Sequence, residues 1–298
     1  MEFAAIRPLV VFRFGCENAL LRPNMDAAWT GTIPRGVDRL RQSALRWPTT
    51  DPPRIAPAKL ARSGQARQLS LFGGFTLMIA DRRATLPMHA RRVLAYLSLQ
   101  KLARPDCDRG QLAERLWPDS SAERSRASLR TALWRIRGAD PEVVAVDCER
   151  VSIADDVAVD VHRFRTIAEQ ILAARTPGDF PVAPAGLPSA TDLLPGWDED
   201  WLLLVREQLR MLRLHALEHG AAVLTAHGRH PQAIDLILQV VDEEPLRESA
   251  QAVLINTHLE LGNVADARRQ FDDYVALLWS QLRLRPSPQL VAVLDTTR

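Results

Sequence analysis

The sequence predicts a mainly α protein in two parts. An N-terminal winged helix-turn-helix, made of a small β-sheet, three helices and a wing hairpin, precedes an all-α solenoid of the tetratricopeptide kind. Three observations carry this. Residues 108–137, DRGQLAERLWPDSSAERSRASLRTALWRIR, read as two helices about a tight turn. The second is rich in arginine on the side away from its apolar stripe, as in helices that read DNA. Gly228-Arg-His-Pro-Gln-Ala233 and Gly262-Asn-Val-Ala-Asp-Ala267 stand 34 residues apart, the tetratricopeptide period. Charge is divided along the chain, basic in front and acidic behind.

The first 66 residues show no sustained period, and seven prolines (Pro8, Pro23, Pro34, Pro48, Pro52, Pro53, Pro57) break any helix. This composition suits a disordered basic extension, assigned to residues 1–67, or a start codon placed too far upstream, with Met25 as an alternative. A basic arm adding phosphate contacts is the second reading.

Structure is expected from Leu69. Leu69, Leu71, Phe75, Leu77 and Ile79 partly alternate around Gly73-Gly74, a strand pair with a turn, and residues 84–86 make a short third strand. A helix follows over 89–100 with Val93, Leu94, Tyr96 and Leu97 inward. Leu112, Ala113 and Leu116 mark a second helix that Trp117-Pro118 ends, and a third runs from near Ser121 to Gly138. Residues 143–146 and 151–153 flank 147–150 as a wing. The winged helix is assigned to 68–165, a connector helix (161–174) and a linker of low order (176–188) to 166–195, and the helical domain to 196–298. That domain opens with a long helix over 197–226. In its repeats, glycine ends one helix and alanine allows close packing in the next. Pro245 falls between helix pairs.

Residues 1–68 hold 11 Lys/Arg against 5 Asp/Glu, a net of +6; residues 69–165 hold 16 against 13, +3; residues 166–298 hold 11 against 18, −7. A polyanion is therefore expected to meet the front and protein the back. Cys16, Cys107 and Cys148 form no CxxC pair, which speaks against a disulfide framework or zinc ribbon and for a reducing cytoplasm. No apolar run near the start approaches the roughly 20 residues of a membrane span. His215 and His219, in the order HALEH, lack an HExxH arrangement and a third ligand, so no metal is expected. No P-loop, GxSxG or dinucleotide fingerprint appears, so no cofactor or catalytic residue is assigned, and an enzyme is not expected.

A helical wheel centred on Leu129 places Ser125, Ala132, Leu133 and Ile136 toward the core. Arg124, Ala127, Ser128, Thr131, Trp134 and Arg135 then face outward, with Arg126, Arg130 and Arg137 on the flanks. Arg124, Ser128, Thr131 and Arg135 are the expected contacts to double-stranded DNA, joined by Arg130 and by Arg150 at the wing. A solvated, salt-bridged arginine face is the plain alternative. Trp134 is expected to pack on a neighbouring helix rather than stack on sugar. Arg91 and Arg92 are either phosphate contacts or simply solvated. Trp197, Trp201 and Arg206 are expected to fix the long helix against the linker.

In this order the parts resemble the bacterial transcriptional activator domain family, which includes SARP-type regulators of antibiotic pathways in actinomycetes. The resemblance covers about 69–294. It rests on Leu112, Leu116-Trp117-Pro118, Leu129-Arg130, Leu133, Ile136-Arg137, Asp160-Val161 and Phe164. Behind these come Asp192-Leu193-Leu194-Pro195-Gly196-Trp197, Trp201, Arg206, Pro245-Leu246-Arg247-Glu248, Gly262, Ala267 and Pro286-Ser287-Pro288. It implies an OmpR-like winged helix, as in response regulators, coupled to a tetratricopeptide-like activation domain. It further implies binding to direct repeats near promoters, contact with RNA polymerase, and allows a homodimer on DNA. The ATPase and sensor modules of larger relatives are expected to be absent. Where the family usually has Leu-Gly-x-x-Pro-Ser, this chain has Leu282-Arg283-Leu284-Arg285-Pro286-Ser287, and without the glycine the last long helix is expected to run on. The functional expectation is a cytoplasmic, promoter-binding activator; the alternative is a protein-interaction adaptor with no role on DNA.

Overall fold

The structure, a computed structural model, describes residues 66–102, 106–189 and 192–295. Of the expected basic extension over 1–67, all but the last two residues lie outside the described ones. Strand β1 (Arg67–Ser70) begins two residues before Leu69, because Arg67 is itself a buried anchor. Its guanidinium, 5% exposed, bonds Asp140 at 2.6 Å, Glu142 at 2.5 Å and Asp156 at 2.6 Å. Burial alone would raise the Asp140 carboxyl, but the Arg67 guanidinium and the Glu142 N–H hold it below the usual carboxylate range.

Strands β2 (Thr76–Ile79) and β3 (Arg82–Ala84) continue antiparallel from β1, with Leu69 opposite Leu77 and Met78 opposite Arg83. Helices α1 (Met88–Gln100), α2 (Arg109–Leu116) and α3 (Ala122–Ala139) follow. Asp108 caps α2 by accepting the Gln111 N–H at 2.8 Å, and Ser121 caps α3 through the Arg124 N–H at 3.4 Å. Two strands have no sequence signal. The pair Cys107–Asp108, β4, joins the wing strands β5 (Val144–Val146) and β6 (Arg150–Ile153) in a sheet of order β4-β6-β5. Strand β7 (Val157–Val159) lies parallel to β1, giving the order β3-β2-β1-β7.

Helix α4 (Asp160–Ala173) is tied to the sheet at its first residue. The Asp160 carboxylate accepts the N–H groups of Leu71 at 2.8 Å and Phe72 at 3.0 Å. The low-order linker expected at 176–188 is instead folded. It holds two 3₁₀ turns, Pro177–Asp179 and Pro184–Gly186, the first closed by a Thr176/Asp179 capping box. Pro184 is buried over Gly220, where an added Cβ would meet it at 3.4 Å. Composition lacks periodicity here because the order comes from packing, not from a regular face.

The solenoid comprises α5 (Asp200–Ala226), α6 (His230–Glu243), α7 (Glu248–Glu260), α8 (Val264–Leu282) and α9 (Pro288–Asp295). Gly228 and Gly262 adopt φ of 71° and 77° at the turns between paired helices, and Ala233 and Ala267 are fully buried one turn into the next helix. Helix α8 does not run on. It stops at Leu282 with Arg283 itself left-handed at φ 57°, the conformation the missing glycine would have taken without strain. One hydrophobic core runs from Leu69 and Leu94 through Leu129, Phe164 and Leu194 to Leu217 and Leu254. A smaller cluster of Ile255, Ala267, Tyr274, Leu278, Leu290 and Leu294 closes the far end.

Candidate nucleic-acid interface

Helix α3 buries Ser125, Leu129, Ala132, Leu133 and Ile136, the set the wheel assigns to the core. Packing of that stripe leaves Arg124, Arg126, Arg130, Thr131, Trp134, Arg135 and Arg137 exposed, with Ala127 and Ser128 half-buried. Among the described residues, no acidic group pairs with any of these arginines. The salt-bridged alternative therefore does not hold for this face: its positive charge is uncompensated within the described chain. The Thr131 hydroxyl donates back to the Ala127 carbonyl at 3.1 Å, a bond a stronger acceptor can replace. Ser128 and Thr131, with Ala127, His89 and Trp117, line a shallow concavity of about 350 Å³ where the starts of α1 and the turn after α2 meet α3.

Arg124, Ser128, Thr131 and Arg135 thus share one helix face, and Arg130 lies on its flank. Arg150 belongs to another element, the first residue of β6, and its guanidinium pairs with Asp106 at 2.6 Å. That hydrogen bond and charge, with Asp108 and Asp147 nearby, hold Arg150 above its ordinary pKa. A phosphate approaching the wing would compete with Asp106.

Arg91 and Arg92 are half-buried, and both have partners within the chain. Arg91 donates to the Leu86 carbonyl at 2.7 Å and stands over the Phe75 ring at 5.9 Å. Arg92 donates to the Leu116 carbonyl at 2.8 Å, stands over Trp117, and pairs with Glu199 at 2.6 Å. It joins α1 to the end of α2 and the approach to α5. Sequence reasoning missed this because Glu199 lies more than a hundred residues away with no periodic relation to Arg92.

The expectation that Trp134 packs on a neighbouring helix fails. Trp134 is 66% exposed, and among the described residues its ring carries only the Arg135 guanidinium, 4.9 Å from the centroid. The wheel already turned it outward; the general tendency of tryptophan toward burial misled.

Behind the face, the helices are held firmly. Trp197 stacks on Phe75 at 6.2 Å, and Trp201 meets Tyr96 edge-on at 5.2 Å. Gly73 donates to the Asp192 carbonyl at 2.7 Å and Leu194 to the Leu71 carbonyl at 2.9 Å. Arg206 then grips the same segment through the carbonyls of Leu193, Leu194 and Trp197 at 3.1, 2.8 and 3.2 Å. Arg206 thus fixes the long helix to the preceding segment as expected, whereas Trp197 and Trp201 pack on Phe75, just before β2, and on Tyr96 of α1. His219 is taken up by the Ala174 carbonyl at 2.8 Å.

Residues 159–297 match the family model described as bacterial transcriptional activator domain. The regulatory protein AfsR of Streptomyces coelicolor is 28% identical over 192 residues, 61% of this chain and 19% of that protein. A solved structure of Mycobacterium tuberculosis EmbR, in complex with a low affinity phosphopeptide, superposes with a TM-score of 0.61 at 22% identity. That likeness covers 78% of this chain and 64% of the EmbR chain, and it is one of fold. The chain thus spans about a fifth of AfsR and under two thirds of EmbR. No helix among the described residues is long and apolar enough to cross a membrane.

Proposed function

We propose that the chain is a SARP-type transcriptional regulator that activates transcription by binding promoter DNA through α3; the match of residues 159–297 to the bacterial transcriptional activator domain supports this reading. In this reading α3 enters the major groove. Arg124 and Arg135 offer donors to guanine O6/N7, Ser128 and Thr131 bond phosphate or base edges, Arg130 steadies the backbone from the flank, and Arg150 contacts it from the wing. The observation that carries the proposal is the row of unpaired arginines on one solvent face of a capped, fully packed helix. Structural arginines elsewhere in this chain, such as Arg67, Arg92, Arg206, Arg213 and Arg247, all have partners. A face left without them has an external polyanion as its natural counter-charge.

The acidic helical domain, rigidly joined behind, is the part proposed to meet RNA polymerase or a second copy of the chain in the cytoplasm. The net of +3 over residues 69–165 supports only modest affinity from one copy, so adjacent binding on repeated sites adds to it. The test is double charge reversal, Arg124→Glu with Arg135→Glu, read by fluorescence anisotropy on the chain's own upstream region in low salt. Both side chains are exposed, so unchanged circular dichroism and melting are expected, with loss of DNA binding. Retained binding would overturn the proposal and leave the adaptor reading.

A further inference from the structure

Trp134 is the most exposed large apolar side chain among the described residues, at 66%. It sits on α3 almost opposite the core stripe: stepping 100° per residue, Ala127 and Trp134 point most directly away from the middle of the buried set Ser125, Leu129, Ala132, Leu133 and Ile136. Arg130 and Arg137 flank it one turn to either side, and Arg135 stacks on its face. A bulky indole in a ring of unpaired cations is poorly suited to an apolar protein surface, and the cations select a polyanion. Within the major groove the base edges present hydrogen-bonding atoms and one apolar group, the 5-methyl of thymine. An apolar side chain bordering the reading face of Arg124, Ser128, Thr131 and Arg135 has that one feature to match.

We propose that Trp134 reads sequence, its indole covering a thymine 5-methyl while its ring holds the Arg135 guanidinium ready for a neighbouring guanine. This rests on the DNA reading above and adds a base preference to it. Stacking on the indole restricts the Arg135 rotamers, so less freedom is lost when its donors engage O6 and N7.

The experiment selects duplexes with the full chain from a pool carrying a randomised core, then replaces each thymine of the selected duplex singly by deoxyuridine, which lacks only the methyl. One position is expected to weaken wild-type binding by about fourfold, the value of one buried carbon. Trp134→Ala is expected to bind roughly 30-fold more weakly, as for a tryptophan hot spot, and to be indifferent to that same replacement. Its melting should match wild type. Replacing the neighbouring guanine by 7-deazaguanine should cost wild type more than Trp134→Ala, which a purely steric role for the indole would not produce. Wild-type indifference to every deoxyuridine, or an equal penalty in Trp134→Ala, overturns the proposal while leaving DNA binding intact. Failure to enrich any duplex overturns both.

Discussion

Arg206→Ala tests how the winged helix and the solenoid are joined. The Arg206 side chain bonds three carbonyls of the segment 193–197. They are not equivalent. The Leu194 carbonyl keeps the Trp197 N–H as a second partner at 3.1 Å, whereas for that of fully buried Leu193 Arg206 is the only hydrogen-bond donor among the described residues. Truncation therefore leaves one buried carbonyl unsatisfied, at about 1–3 kcal/mol, and removes two further charge-assisted bonds whose net worth is partly recovered by water at half-buried Trp197. The expected loss is about 3 kcal/mol, a large part of the roughly 5–15 kcal/mol available to a domain. Arg206→Lys, with one compact donor group in place of a planar fork, should lose about 2 kcal/mol. Urea denaturation followed by circular dichroism measures both, and limited proteolysis should show new cleavage near 187–197. An Arg206→Ala loss below about 1 kcal/mol, with that segment still protected, would show that these carbonyls do not depend on Arg206.

Three further expectations follow from single side chains. Arg67→Ala leaves Asp140, 8% exposed, with a buried charge and should destabilise by about 3 kcal/mol in urea. Because the folded-state Asp140 carboxyl lies below its unfolded value, its stabilisation is present above about pH 4 and is lost as pH falls through the lower folded value. The variant's stability should accordingly show a weaker acid-side decline. Arg283→Gly should raise stability by about 0.5–1 kcal/mol, since it relieves the left-handed φ of 57° at the end of α8; an unchanged or lower urea midpoint would contradict this. Burial and the nearby Glu248 carboxylate push the Tyr274 phenol up to about 12, so an ultraviolet titration of Glu248→Gln should show one of the two tyrosines ionising at lower pH, though not at its ordinary value, because the burial remains.

The parts legible in the sequence are those governed by local periodicity. The core stripe of α3 follows from its 3.6-residue repeat residue by residue, and the two repeat glycines with their buried alanines follow from a fixed spacing. What escaped depends on distant partners. Strand β7 has three residues and exists because β1 offers it an edge, with Leu69 opposite Val159. Arg92 became a structural link because Glu199 and the Leu116 carbonyl converge on it. The missing glycine suggests a longer helix, but Pro286, Ser287 and Pro288 follow too soon, and the Ser287 N–H is drawn to Glu248 at 3.1 Å; the chain turns and Arg283 carries the strain. Trp134 shows the limit of residue-type tendencies: its position on the wheel was a better guide than its hydrophobicity.

Whether α3 meets specific promoter DNA is tested most directly by genome-wide mapping of the sites occupied by the wild-type chain and by the Arg124→Glu/Arg135→Glu variant. Promoter-proximal peaks sharing a repeated sequence are expected with the wild type, and their disappearance with a variant that remains folded. Peaks without a common sequence, or a map unchanged by the charge reversal, would contradict specific DNA binding through α3.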